Sequence, residues 1–101
     1  MRYRPTALGW IDYDISTAPE WDSAQVRRLA RSLGYALVWP PDNTAVGVID
    51  TTRTADVDAV ITPAPTHLDA PTLDRMKHLA DIETVCPRMS FTRNVATGAG
   101  A

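Results

Sequence analysis

The fold of this chain is decided by residues 26–39, VRRLARSLGYALVW. Val26, Leu29 and Leu33 recur at helical spacing and form one apolar stripe, which predicts an amphipathic helix over one face of a sheet. Gly34 supplies the left-handed backbone that ends many helices, and the apolar run after it predicts a strand. A helix that passes directly into a strand is typical of an α/β domain with a parallel sheet.

Similar apolar runs on both sides of this stretch supply the other strands. Residues 57–62 are apolar and rich in β-branched side chains, and Pro63 stops the run, so we predict a buried strand there. Residues 6–11 and 82–86 predict two more strands, with residues 89–91 as a short candidate extra strand. Together with the strand that follows Gly34, these runs give a sheet of four main strands.

The segments between the strands carry helix signals of unequal strength. Thr17 with Pro19 and Glu20 forms a capping pattern that predicts the start of the first helix there or slightly later, since Asp22 and Ser23 are competing caps. Residues 45–55 predict only a short helix, because a glycine and several threonines interrupt the apolar spacing. Asp69, Ala70 and Pro71 open a third helix, with the proline near its first turn.

These elements predict a three-layer α/β domain with four parallel strands in the order 2-1-3-4, helices on both faces and right-handed crossovers. The residues predicted for the core are Val26, Leu29, Leu33, Leu37, Val57, Val60, Ile61, Leu73, Met76, Leu79 and Ile82, together with Trp10. In such a sheet the functional crevice lies at the carboxyl ends of the strands.

Length and composition describe one small domain without a strong net field. The chain has 101 residues, of which 45% are hydrophobic, and a formal charge of -2. We predict a single domain over residues 1–93 and a flexible tail over residues 94–101. Because no net positive field exists, we expect no nucleic-acid binding by this chain alone. One cysteine and the lack of a long apolar run predict a cytoplasmic protein without a disulfide or a membrane segment.

Polar residues that follow the first strand are the candidates for catalysis. Asp12 and Asp14 resemble the paired carboxylates with which haloacid-dehalogenase-type phosphatases attack phosphate and bind magnesium. Ser16 is a candidate nucleophile, although serine at this place more often caps a helix. His67, close to Asp69, is either a base at the crevice mouth or a solvated residue of an exposed loop. The ends of the later strands lack the partner residues of those phosphatases, so we predict no metal and no cofactor. Magnesium-dependent hydrolysis of phosphate esters is kept as the alternative function.

The candidate binding residues are Trp21, Trp39, Arg27, Arg28, Arg31 and Phe91. The arginines form a basic helix face, for which solubility is the simpler explanation. The tryptophans lie near the ends of elements, where an indole suits either local packing or a contact with another protein. Cys86 is expected to be an inert apolar residue on the buried fourth strand.

Three segments resemble the catalytic-domain core of the serine recombinases, the resolvase and invertase family. They are ALGWI at 7–11 with IST at 15–17, LARSLGY at 29–35, and ADVDAVI at 55–61. The first resembles that family's opening strand, which ends on the nucleophilic serine, so Ser16 would match the nucleophile. The resemblance covers roughly residues 6–93 and implies a resolvase-like fold.

The differences from the family pattern determine the predicted function. Recombinase chemistry needs arginines around the serine to stabilise the phosphoryl transition state. Asp14 stands where the family has an arginine, His67 and Ala70 lie where further arginines follow the third strand, and the chain ends where the family continues with a dimerisation helix and a DNA-reading domain. We therefore predict a non-catalytic resolvase-like module that self-associates or docks to a protein partner, with a DNA-recombination accessory role as a further alternative.

Overall fold

A computed structural model describes residues 4–40 and 47–93 of the chain. The elements are β1 (Thr6–Gly9), α1 (Pro19–Leu33), β2 (Ala36–Val38), α2 (Val48–Ala55), β3 (Ala59–Thr62), a 3-10 turn (Pro65–His67), α3 (Ala70–Met76), β4 (Asp81–Thr84) and β5 (Met89–Phe91). The predicted strands and helices are present, with shorter bounds than the sequence indicated. In this part of the chain, no helix is long and apolar enough to cross a membrane. The predicted tail, residues 94–101, lies outside the described residues.

The sheet has five strands in the order β2-β1-β3-β4-β5. The first four are parallel, so the predicted order 2-1-3-4 is confirmed. The predicted count of four strands is wrong, because β5 pairs antiparallel with β4. A tight turn over residues 85–88 reverses the chain, and an antiparallel neighbour needs no crossover helix.

Helices cover both faces of the sheet, because side chains alternate along each strand. Ala7 of β1 and Ile61 of β3 face α1, where they form a core with Val26 and Ala30. Leu8 and Val60 belong to the other face, in a core to which α2 contributes Val48 and α3 contributes Met76. The three predicted layers are therefore α1, the sheet, and the pair α2 and α3.

Most of the predicted core is buried or packs against the core. The partly buried members are Leu29, Leu37, Leu73, Leu79 and Trp10. Leu33 is the exception, since it is 38% exposed. It is the last residue of α1, so no further helical turn shields its side chain, and the prediction for this residue is wrong.

The helix ends agree with the sequence at two positions and differ at a third. Gly34 adopts the left-handed backbone, with φ of 83°, and ends α1. Asp69 caps α3, because its Oδ1 accepts a hydrogen bond from the Thr72 amide at 2.8 Å. The Thr17 cap is wrong: Ala18 is the N-cap of α1 and supplies no side-chain hydrogen bond.

Polar contacts hold the hairpin between β4 and β5. The Thr84 hydroxyl accepts a hydrogen bond from the Met89 amide at 3.0 Å. Arg88 forms an ion pair with Glu83 at 2.9 Å. Cys86 lies in this turn and is exposed, so the prediction of a buried cysteine is wrong. The physical reason is that β4 ends at Thr84, before the chain reaches the cysteine.

Candidate functional site

The loop after β1 is a tight turn that the Asp12 carboxylate stabilises. Asp12 Oδ1 accepts a hydrogen bond from the Asp14 amide at 3.0 Å. The Asp12 carbonyl accepts from the amides of Ile15, at 3.0 Å, and Ser16, at 2.9 Å. This is the local bonding by which aspartate favours turns. The carboxylate predicted to attack a phosphate therefore has a structural role in the loop, while Asp14 is exposed to solvent.

Ser16 connects this loop to the beginning of α1. Its hydroxyl donates a hydrogen bond to Asp22 Oδ2 at 2.5 Å and accepts one from the Ala18 amide at 3.3 Å. Its acceptor is a carboxylate rather than an imidazole, so it lacks the histidine base of an activated serine. Sequence reasoning did not pair Asp22 with Ser16, because an acid in the first turn of a helix is expected for the helix dipole alone.

His67 is buried, with 6% of its surface exposed, so its prediction as an exposed loop residue is wrong. The 3-10 turn that ends at this residue allows its Nδ1 to accept a hydrogen bond from the Asp12 amide at 2.9 Å. A neutral imidazole that accepts at Nδ1 carries its proton on Nε2. Burial lowers the pKa of His67, and the charges of Asp22 and Asp12 oppose that shift. The imidazole is therefore neutral at pH 7, and the loop already occupies its proton-accepting nitrogen.

Hydrogen bonds connect the polar side chains at this edge of the sheet. Asp12, Ser16 and His67 do lie together here, as expected at the carboxyl ends of parallel strands. Within residues 4–40 and 47–93, however, no three histidine, cysteine or acidic side chains could hold a metal ion. The Thr62 hydroxyl at the end of β3 is fully buried and has no hydrogen-bond partner. The cluster made by Asp12, Ser16, Asp22 and His67, called the edge cluster below, binds the loop to the fold.

A second region, called the arginine groove below, lies between α1 and β2. It has a volume of about 410 Å³. Its principal lining residues are Arg4, Arg27, Arg31, Tyr35, Leu37 and Trp39. In the part of the chain described, β2 has a neighbour on one side only, so this groove lies along an edge of the sheet.

Local sequence positions each wall of the groove. Arg27 and Arg31 are one helical turn apart and therefore lie on the same flank of α1. Trp39 follows β2, and its ring lies over Gly9 of β1, where an added Cβ would come within 2.5 Å of the ring. Only glycine allows this approach, so Gly9 shapes the groove through the indole that it admits.

The arginines of the groove have no carboxylate partners among the described residues. Over residues 4–40 and 47–93 the ion pairs are Arg53 with Asp50 and Arg88 with Glu83. Both pairs lie on other elements, α2 and the β4–β5 hairpin. Among residues 4–40 and 47–93, the groove arginines therefore form no ion pair with an acidic side chain.

Tyr35 is the phenol that lines the groove. Burial raises the pKa of its phenol, and the carboxylates of Asp81, Glu83 and Asp58 raise it further. The phenol is therefore uncharged at neutral pH.

The structure separates the other predicted binding residues. Trp21 is 66% exposed on α1 and lies outside the groove, as does the exposed Arg28. Phe91 is half-buried against the core, with Lys77 Nζ at 4.8 Å from the centre of its ring. Sequence reasoning missed Arg4, which precedes β1 and reaches the groove only because β1 lies beside β2.

No family model, curated protein or solved structure matches this chain. The resemblance to the serine recombinases stays a prediction, based on the three segments quoted above.

Proposed function

We propose that this chain is a non-catalytic protein-interaction module whose arginine groove binds an acidic, aromatic-bearing surface of a protein partner. One observation carries the proposal: three arginines line a single groove, and none has a carboxylate partner among the described residues. Unpaired guanidinium groups in a concave site favour a ligand that supplies carboxylates.

Aromatic side chains add a second element of recognition. Trp39 is 36% exposed and stands beside the arginines, so a ligand ring can stack on the indole or on a guanidinium plane. The volume of 410 Å³ falls in the range of about 300–1,000 Å³ that is typical of ligand sites, enough for one aromatic side chain and neighbouring carboxylates. Tryptophan and arginine are also the residues that contribute most often to protein interfaces.

The edge cluster supports a non-catalytic role. Asp12 bonds within its own loop, Ser16 bonds to Asp22 of α1, and His67 accepts from the Asp12 amide across 55 residues of sequence. No serine–histidine pair is present among these residues. Asp14 stands at the position where the recombinase resemblance requires an arginine, so the charge needed to stabilise a phosphoryl transition state is reversed. A resolvase-like scaffold without recombination activity is part of this proposal.

A protein partner fits the charge distribution better than a nucleic acid. The whole chain has a formal charge of -2, and a phosphate backbone binds mainly through a summed positive field. Four acids, Asp12, Asp14, Glu20 and Asp22, lie at the other end of α1 and would repel an extended polyanion. A short acidic segment can occupy the groove without approaching them.

Fluorescence anisotropy with a labelled peptide tests the proposal. The peptide contains several glutamates and one tryptophan, and a matched peptide has lysines in place of the glutamates. We expect the glutamate peptide to bind and the lysine peptide not to bind. Arg27→Gln with Arg31→Gln should weaken binding by at least about tenfold, since each charge-assisted hydrogen bond contributes about 1.5–3 kcal/mol.

Arg75→Gln is the matched control, because Arg75 is exposed on α3 at the opposite face of the sheet. Equal weakening by this change, or equal binding of both peptides, would contradict the proposal. Tight, salt-sensitive binding of duplex DNA would favour the DNA-recombination accessory role instead. Magnesium-dependent turnover of phosphomonoesters that Asp12→Asn abolishes would favour the hydrolase.

A further inference from the structure

The exposed face of α1 carries its charges in two blocks of opposite sign. The first two turns contain Glu20 and Asp22, and the last two contain Arg27, Arg28 and Arg31. The helix dipole favours this order, with acids at the beginning and bases at the end. The helix dipole does not explain why exposed aromatic residues lie near the acidic block.

Exposed apolar side chains lie in and just before the first turn of α1, close in sequence to the acidic block. Trp21 is 66% exposed, Tyr13 is 67% exposed and Ile15 is 44% exposed. The hydrogen bond from Ser16 to Asp22 holds the loop that carries Tyr13 and Ile15 against the helix that carries Trp21. An exposed indole beside acids has the chemistry that the arginine groove selects.

We propose that the partner is a second copy of this chain, and that two copies form a two-fold dimer with their α1 helices antiparallel. This inference rests on the proposed function, because it names the acidic surface that the groove receives; the aromatic side chain of that surface, Trp21, packs on Arg28 beside the groove. The acidic block of each helix then lies against the basic block of the other. The two-fold axis repeats this contact between acidic and basic blocks, so the dimer leaves no block free to add a third copy.

Helix geometry fixes which residues meet. Ala24 is exposed and lies midway between Glu20, four residues before it, and Arg28, four residues after it. Each residue adds about 1.5 Å along the axis, so antiparallel helices that cross at Ala24 bring Glu20 of one copy to the height of Arg28 of the second copy. In the same way, Trp21 of one copy reaches the height of Arg27 of the second copy.

The direction around the helix completes the match. Glu20, Arg27 and Arg31 lie on one flank of α1 because they are separated by seven and four residues, close to whole helical turns. Glu20 of the second copy therefore enters the groove between Arg27 and Arg31. Trp21 and Arg28, also seven residues apart, share the other flank, which places each indole beside an arginine of the second copy. The small side chain of Ala24 permits the close approach of the two axes.

Analytical ultracentrifugation of the full chain over a range of concentrations tests the dimer. The wild-type chain, of 11.1 kDa, should reach twice that mass at high concentration and no more. Glu20→Arg should remain monomeric, and so should Arg27→Glu with Arg31→Glu. Arg75→Glu is the matched control and should dimerise as the wild type does.

Mixing the two monomeric variants gives the sharpest result. In the mixed pair, the groove of the doubly substituted chain is acidic and faces the positive charge that Glu20→Arg introduces on the other chain. The second contact of the same pair is native. An equimolar mixture should therefore dimerise, although each variant alone does not.

A wild-type chain that stays monomeric or that grows beyond a dimer overturns the inference. So does dimerisation of Glu20→Arg alone, or of Arg27→Glu with Arg31→Glu alone. Binding of the glutamate peptide by monomeric Glu20→Arg is expected, and it shows separately that the proposed function holds. If Glu20→Arg does not bind the peptide although its groove is unchanged, the proposed function is wrong, whatever the oligomeric state.

Discussion

The edge cluster and the arginine groove contain similar numbers of polar side chains but use them in opposite ways. In the edge cluster, Ser16 bonds to Asp22 and His67 bonds to the Asp12 amide. In the groove, Arg27 and Arg31 have no acidic partner among the described residues. Residue types that suggest catalysis therefore stabilise the fold, while residues that suggest only solubility remain available for a ligand.

The largest effect on stability is expected from His67→Leu. This change leaves the Asp12 amide without its acceptor at a partly buried site, which should lower the free energy of unfolding by about 1–3 kcal/mol. Urea denaturation measures the difference. His78→Leu is the control, because His78 is exposed, and an equal loss in both variants would contradict the structural role of His67.

Gly9→Ala tests whether the fold shapes the groove. The added Cβ would come within 2.5 Å of the Trp39 ring, so the ring must move away from β1. We expect a loss of about 1–3 kcal/mol of stability, as for other overpacking changes, together with weaker binding of the glutamate peptide. Gly47→Ala is the control, since a Cβ at Gly47 meets nothing within 4 Å. Unchanged peptide binding by Gly9→Ala would show that the position of Trp39 does not matter.

Ser16→Ala sharpens the contrast between the two regions. Losing the hydrogen bonds to Asp22 and the Ala18 amide should cost about 0.5–1.5 kcal/mol in thermal or urea denaturation. Peptide binding should not change, because Ser16 is not part of the groove. Ser32→Ala, at an exposed position of α1, should leave stability nearly unchanged. A Ser16→Ala chain that folds normally but loses peptide binding would move the functional site to the edge cluster.

The smallest effect is the dependence of stability on pH through His67. Its pKa in the folded chain is lowered from the ordinary value of 6.5 by burial, so the unfolded chain binds a proton more readily. Stability from this group is complete above pH 6.5 and is lost as the pH falls toward the lowered pKa. The difference between the wild type and His67→Leu, measured across this range, should shrink as the pH falls. A difference that grows at low pH would contradict this account.

The order of the parallel strands was predictable from the sequence. The spacing of apolar residues, Gly34 and Asp69 are local signals that place the strands and helices, and the structure keeps them. The sequence could not predict that His67 turns inward onto Asp12, which lies 55 residues away. The groove was partly visible as a row of arginines on α1. Its other wall depends on Gly9 and Trp39 meeting across two strands, which no local pattern records.

The central claim is that ligands bind at the arginine groove and not at the edge cluster. Titration of the ¹⁵N-labelled chain with the glutamate peptide, followed by NMR, tests it in one experiment. The account predicts that the Trp39 indole signal and the Arg27 and Arg31 side-chain signals shift progressively, while the amides of Asp12 and Ser16 stay in place. Shifts confined to Asp12, Ser16 and His67 would contradict it.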